Sequence, residues 1–457
     1  MKTVRCGLLV IGGGAAGFAA ALEAATAGVS VLVLEKTGAI GGSSAMSGGC
    51  LAFAGTDLQK KEGVEDSGEL LRRDLIEVGK EDNDPAVVDT YVRHQLDTYH
   101  WLRGLGLQFS PSLEASSGQS VPRVHTVDPA DMVRLLAAKA TATDRVQVHM
   151  NTRALRLVRK DETSPVTGVI AQGPEGEFTI ESEHGVLLAS GGFCRNAELV
   201  HRFAPHYAEA VFVGGEGNVG DGLLMAWKLG ADMRDMAYIK GTFGKHPTDT
   251  HNNHSCLAVY KGAIAVNQDG KRFVDESISY KLLGDAVMSQ PYHTGYQIFD
   301  EPIFQSGDDR VRILDFGRRM EEGLIFKADT LEALARQIEV PYETLKATVD
   351  RYNAFVDAGE DEEFGRAALV HQHGALVRIE QGPFYAYPST AAVFGTYCGL
   401  RIDADMKVID VFGDAIEGLY AAGEVVGGFH GGAYMTGSAL GKAVVFGRVA
   451  ARTAMAS

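Results

Sequence analysis

The pattern that most restricts this chain lies near its start. Gly12, Gly14 and Gly17 are spaced as GxGxxG, directly after an apolar β-type run at 7–11 and at the mouth of an Ala-rich helical stretch at 18–27. A second β-type run at 29–34 then ends on Glu35, 18 residues past Gly17. Strand, glycine turn, helix, strand and acid in that register predict a βαβ unit that takes a dinucleotide. The first glycine permits the tight turn, the second lets backbone approach a pyrophosphate, and the third lets helix and strand pack closely. The helix start offers N–H donors and a positive dipole to phosphate, while Glu35 is placed to accept from ribose hydroxyls.

Context carries this reading, because 55 glycines in 457 residues make a bare GxGxxG weak evidence. A second match, Gly215, Gly217 and Gly220, follows only a short apolar run at 211–213, and no strand ending in an acid comes after it. It is read not as a nicotinamide site but, with Asp221-Gly222, as a loop touching a ligand held elsewhere. The length allows two or three domains. Hydrophobic residues at 45% and charged residues at 22% fit a globular chain that buries a core. A formal net charge of −16 disfavours nucleic acid and anionic lipid as partners. Five scattered cysteines form no CxxC, so no disulfide frame, metal site or attached haem is expected. No apolar run reaches the length of a membrane span, and the glycines at 12–14 break the apolar start as a signal peptide, so a cytoplasmic protein is expected.

Helical patterns follow at 68–79, 85–105 and 129–141, with a polar loop at 109–120. Strand patterns at 146–150, 153–159, 166–172 and 177–190 suggest a small β-meander ending in an apolar strand. From about 232 to 352 glycines thin and charge rises, with a helical run at 331–356; strands and glycines return before a closing helix at 438–455. The expected fold is α/β: a discontinuous Rossmann-like cofactor domain from 1–231 and 353–457, with an inserted α+β capping domain at 232–352.

The choice between NAD and FAD turns on further loops. Gly41, Gly42, Ser43, Ser44, Gly48 and Gly49 form a second Gly/Ser loop soon after the ribose acid, as a longer ligand with a flavin ring requires. At the far end, Gly423-Glu424 follows a strand, and Gly437 and Ser438 open the last helix, whose N-terminus suits the negative charge of a reduced flavin. FAD is therefore expected.

These segments in this order resemble the flavoprotein family of fumarate reductases, succinate dehydrogenase flavoprotein subunits and 3-ketosteroid dehydrogenases. The resemblance rests on VIGGGAAG (10–17), GGSSAMSGG (41–49), LLASGGF (187–193), GDGLLMAWKLGA (220–231), GKRFVDES (270–277) and the stretch at 418–450. It implies a mobile cap over the flavin and FAD contacts at Gly12, Gly14, Ala15, Ala16, Gly17, Glu35, Lys36, Gly42, Ser43, Ser44, Ser47, Gly48, Gly49, Ala154, Ala189, Ser190, Gly191, Asp221, Gly423, Glu424, Ser438, Ala439 and Leu440. Covalent members carry a His in the loop where Ser43 and Ser44 stand, so the FAD is expected to be non-covalent.

The fumarate pattern is not kept at the substrate end. Fumarate and succinate enzymes have an Arg shortly after RFVNE, a His-His-Thr triplet, and an Arg after GGxHG. Here the corresponding residues are Tyr280, Phe394-Gly395-Thr396 and Tyr434. A dicarboxylate would lose its bidentate arginine contact, at a cost of several kcal/mol. The two tyrosines are similar to those of the ketosteroid dehydrogenases. That likeness implies Tyr280 as α-proton base, with Tyr434 and the Gly437 N–H polarising a carbonyl, although Tyr434 precedes Gly437 by three residues rather than four. Thr242, Phe394 and His430 are candidate substrate contacts. Hydride loss from the β-carbon to flavin N5 is relieved by loss of the α-proton, and carbonyl polarisation eases that loss. A phenol starts near pKa ~10, so Lys281 and Arg272 are named as possible helpers. The leading expectation is an FAD-dependent dehydrogenase of a cyclic ketone, steroid-like or a smaller oxocyclohexane, with an external, unidentified electron acceptor or donor. The alternatives are reduction of an activated C=C bond in an enone or unsaturated acid, the latter with Arg123 as anchor, and a non-catalytic flavin-binding redox sensor. Bland readings stand beside these: Tyr280 and Tyr434 as packing residues, His430 as a core histidine, and Arg123 with His125 as a loop salt bridge.

Overall fold

The computed structural model describes residues 2–239, 241–248, 255–309, 311–370 and 374–457. Its first element of consequence, Leu8–Ile11, is buried at all four positions, as a strand covered on both faces must be. It pairs in parallel with Val31–Leu34 on one side and Val186–Leu188 on the other. Val146–His149 extends the sheet beyond the first neighbour and Ala415–Ala421 beyond the second, both parallel, with Lys407–Ile409 antiparallel at the edge. The chain thus leaves Leu8–Ile11 toward one side and returns on the other. This topological switch point opens a crevice at the carboxyl ends of Leu8–Ile11 and Val186–Leu188.

Small side chains let the helices close over this sheet. Ala15–Thr26 packs against the last helix, Ser438–Ala456, where a Cβ on Gly447 would stand 2.3 Å from the Ala16 carbonyl oxygen. The β-meander is present as Arg153–Val158, Gly168–Gly173 and Gly176–Ser182, with Thr3–Cys6 added in parallel at its edge. The single run read at 177–190 is two strands. Gly185, at φ +85 and pressed against the Gly418 backbone, breaks it, so that Val186–Leu188 joins the central sheet instead.

A second sheet forms the cap. Its ten-residue strand Phe384–Val393 pairs antiparallel with Thr242–Lys245, Gly295–Asp300 and Phe326–Ala328, and in parallel with Val211–Phe212. The middle strand of this sheet therefore lies beyond residue 352, and Val211–Phe212 lies before residue 232. The capping sheet is not confined to 232–352. Strand Phe384–Val393 is almost wholly buried. The helical run at 331–356 is likewise two helices, Leu331–Gln337 and Tyr342–Ala358, parted by Glu339 at φ 56 and by Pro341, which cannot continue a helix. Helix Tyr280–Met288 lies on the cap sheet with its first turn toward the crevice, and Ser279 caps it by accepting from the Lys281 N–H.

Candidate active site

One cavity of about 770 Å³ runs from the glycine turn after Leu8–Ile11 to the aromatic residues of the cap and the last helix. At the glycine end the backbone shapes it. Gly12 has φ +115, and a Cβ there would lie 2.3 Å from the Ala189 carbonyl oxygen; a Cβ on Gly17 would lie 2.0 Å from that of Gly12. The start of helix Ala15–Thr26 faces the cavity with Gly14 as its N-cap, and Ser44 Oγ accepts from the Ala15 N–H at 3.2 Å. Glu35 accepts from the Gly13 N–H at 2.9 Å and from Thr37 N–H and Oγ1 at 2.8 Å. The Lys36 ammonium and the Arg153 guanidinium reach Asp221 at 2.8 and 2.6 Å. Burial opposes ionisation of Asp221, but these two cations hold its carboxyl below the ordinary range.

The second glycine motif belongs to this same crevice. Gly215 N–H and Asn218 Nδ2 both donate to Ser43 Oγ at 2.9 Å, and Asn218 also donates to Glu424. A Cβ on Gly215 would stand 2.6 Å from Ser43 N. The loop clasps the Ser43 turn, and Gly215 and Gly217 line the same cavity as the first glycine motif.

Of the residues expected to touch the cofactor, Gly17, Gly49 and Ser438 lie behind the wall and the others line the cavity. Gly17 serves close packing, Gly49 at φ +73 presses on the Val127 carbonyl, and Ser438 is buried and donates to the Met435 carbonyl. The crevice fits FAD on its own terms. Two helix N-termini open on it, positive-φ glycines admit a ligand against backbone, and Ser190 Oγ on its wall is buried with no partner among the described residues.

At the other end the side chains take over. Tyr280 and Tyr434 face each other with ring centroids 5.8 Å apart, and both line the cavity. Tyr397 lies 4.8 Å from Tyr434 and 5.3 Å from His430, which is itself 5.4 Å from Tyr434. Thr242 and Phe394 complete this wall. Ser279 Oγ donates to the Tyr434 carbonyl at 3.1 Å, tying the cap helix to the loop before the last helix. Gly437, at φ +86, heads that helix just outside the cavity lining. Burial pushes Tyr434 up to about 12, against the pull of backbone hydrogen bonds from Gly437 and Ala439. Burial likewise holds Tyr280 and Tyr397 well above the phenol range. It also keeps His430 neutral far below its ordinary range, and the His430 Nε2 atom is buried without a partner among the described residues, while the Thr436 hydroxyl bonds Tyr280. Unsatisfied polar atoms on a cavity wall point to a ligand there.

Two sequence candidates fall away. Arg123 is fully buried in ion pairs with Asp66 and Asp74 at 2.7 and 2.6 Å and does not reach the cavity, so it anchors no substrate. His125 bonds Thr56 and the Arg123 carbonyl nearby. Arg272 is buried between Glu276 and Asp361 at 2.7 and 2.8 Å and cannot assist Tyr280. Two residues went unread. Tyr397 directly follows the Phe394-Gly395-Thr396 triplet, but its positive φ of 56, which aims the ring, leaves no mark in sequence. Arg312, the one arginine on the wall among the described residues, donates from the cap to the Ser47 carbonyl at 3.0 Å.

Residues 7–440 match the FAD binding domain family. The chain is 32% identical to the fumarate reductase (cytochrome) of Shewanella frigidimarina over 98% of its own length and 76% of that protein. It is also 32% identical to the urocanate reductase of Eggerthella lenta, over 99% of this chain and 75% of that one. Among solved structures, 3-ketosteroid-Δ4-(5α)-dehydrogenase from Rhodococcus jostii, in complex with 4-androstene-3,17-dione, superposes with a TM-score of 0.81 at 25% identity, covering 99% of this chain and 97% of that one. No described helix is long and apolar enough to cross a membrane.

Proposed function

Because the chain belongs to the FAD binding domain family of flavoprotein oxidoreductases that act on C=C and CH–CH bonds, we propose that it reduces a C=C bond conjugated to a ketone, taking electrons from an external donor. Tyr434, whose hydroxyl takes the Gly437 N–H, holds the carbonyl oxygen, and Tyr280 donates the proton to the α-carbon. The observation that carries this reading is the facing pair of phenols at Tyr280 and Tyr434, at positions where a dicarboxylate enzyme needs cations.

Bound FAD supplies or takes up the hydride. The protein's part is to bind the ketone, exclude water and move one proton. From sequence the opposite direction, dehydrogenation of a cyclic ketone, stands first, and the same groups serve it by microscopic reversibility. Two observations move the weight toward reduction. Tyr280 stands protonated at neutral pH, the form from which a proton donor starts. Both relatives described above are named as reductases.

One observation favours a second substrate class: Arg312 on the cavity wall could pair with the carboxylate of an unsaturated acid. Anaerobic stopped-flow separates the readings. Photoreduced enzyme should be reoxidised by cyclic enones. Oxidised enzyme bleached faster by saturated ketones would restore the dehydrogenase reading. Reoxidation by unsaturated acids alone, lost in Arg312→Leu, would establish the acid reading.

A further inference from the structure

Behind the aromatic wall stands a lysine with no ion-pair partner at its tip among the described residues. Lys281, in the first turn of helix Tyr280–Met288, is fully buried and does not line the cavity. Its Nζ donates to Thr242 Oγ1 at 2.5 Å, its one side-chain partner among the described residues. The same Nζ lies 4.2 Å from the centre of the Tyr397 ring, 5.5 Å from that of Tyr280 and 5.7 Å from that of Tyr434.

This is a poor place to keep a cation for stability alone. Burial strips its water, and the start of a helix repels positive charge. The acids that face it are engaged elsewhere: Glu424 accepts from Asn218 and the Thr396 N–H, and Asp285 accepts from Tyr207. Cys194 and the neutral His430 are the other titratable neighbours besides the three phenols. Burial brings the amine down to about 7. What the surroundings do offer is three phenol rings around the ammonium, one presented by a backbone in the left-handed region at Tyr397, where non-glycine residues are held only by the fold around them.

We propose that Lys281 is a positioning residue that acts from behind Thr242 and Tyr397 as the counter-charge for a negative oxygen in the phenol cluster. That oxygen is the phenolate left on Tyr280 once it has given its proton, or an anionic oxygen of the ligand. The inference rests on the reading of Tyr280 as proton donor. In that step the Tyr280 O–H bond breaks, its electron pair stays on oxygen, the proton forms the new C–H bond at the α-carbon, and water later restores the phenol. An anion appearing beside the ammonium is stabilised more than the neutral ground state, so the effect falls on rate. The useful form is charged, so turnover falls as pH rises through the amine's range.

The test uses FAD-loaded wild type, Lys281→Met, Lys281→Arg and Thr242→Val. Two readouts are taken across neutral pH: reoxidation of photoreduced enzyme by cyclohexenone, and the ionisation of bound para-nitrophenol by difference absorbance. In wild type the rate falls above neutrality and the bound probe is largely phenolate. Lys281→Met raises the probe's bound pKa by about one unit, slows reoxidation on the order of tenfold and loses the falling limb. Lys281→Arg keeps the phenolate and moves the limb to higher pH. Thr242→Val, which unties the ammonium, shifts the probe in the same direction by less and serves if the methionine variant does not fold. Either substitution leaving the probe unshifted overturns the proposal. So does a wild type that fails to ionise the probe, or whose rate rises through neutrality. If no enone reoxidises the wild type while the probe still shifts in Lys281→Met, the enone reading fails and the role of Lys281 stands.

Discussion

The two ends of the cavity are built by opposite means. At the glycine end the ligand-facing atoms are mostly backbone, and side chains matter chiefly by being absent, as at Gly12. At the aromatic end the wall is made of Thr242, Tyr280, Phe394, Tyr397, His430 and Tyr434, drawn from segments far apart in sequence, and protonation states are set by burial. Holding a cofactor of fixed shape needs only backbone geometry, which many small residues satisfy. Moving a proton needs particular groups in particular charge states. The first end should therefore fail through lost flavin or stability, and the second through lost rate with flavin intact.

The largest effect expected is at Tyr280. Tyr280→Phe keeps the ring and removes the proton, so turnover should drop by about 10²–10⁴-fold with the flavin content and absorbance unchanged. Retained turnover in rapid-mixing traces would end the division of labour between the two ends. Gly17→Ala attacks the other end. Its Cβ would meet the Gly12 carbonyl oxygen at 2.0 Å, a backbone atom that cannot step aside. A loss of about 1–3 kcal/mol is expected, read as a lower melting temperature together with partial loss of FAD. A variant that melts like wild type and fills with FAD would show that this glycine is not required for packing. Tyr434→Phe ranks next. Removing the hydroxyl that holds a carbonyl oxygen should lower kcat/KM by about 10–100-fold, with the larger share in kcat if the oxygen gains charge in the transition state. An effect on KM alone would reduce Tyr434 to a binding contact.

Legibility from sequence follows the same division. The switch-point strands, the glycine turn, Glu35 and the Ser43 loop announce themselves because their signals are local: periodicity, glycine spacing and an acid at a set distance. The helices Gly68–Val78, Pro85–Gly104 and Pro129–Thr141 lie within a residue of their expected bounds, each with a Ser or Asp side chain accepting at its N-cap. The cap sheet was harder. Its ten-residue strand Phe384–Val393 joins partners on both sides in sequence, and pairing between distant segments has no local mark. Tyr280 and Tyr434 are proposed on a resemblance, whereas the place of Tyr397 on the cavity wall comes from a left-handed backbone and a ring packed on its neighbours, which sequence does not mark. The same blindness made Arg123 and Arg272 look available, when buried acids had already neutralised both.

The smallest effect expected separates holding from chemistry within the glycine end itself. Asp221 joins Lys36 and Arg153, and Lys36 also lines the cofactor crevice. Asp221→Asn leaves two cations facing a neutral amide and should cost about 1 kcal/mol at neutral pH. Because the folded carboxyl ionises below its ordinary range, its contribution is fully present above the unfolded pKa of ~4 and is lost as pH falls through the lower folded value. The stability gap between wild type and Asp221→Asn should thus be constant near neutrality and close in acid, as urea melts at a series of pH values would record. The bleaching and reoxidation rates of FAD-saturated Asp221→Asn should match wild type. A slowed rate would mean that a charge at the glycine end reaches the reacting bond, and the two ends of the cavity would have to be treated as one electrostatic unit.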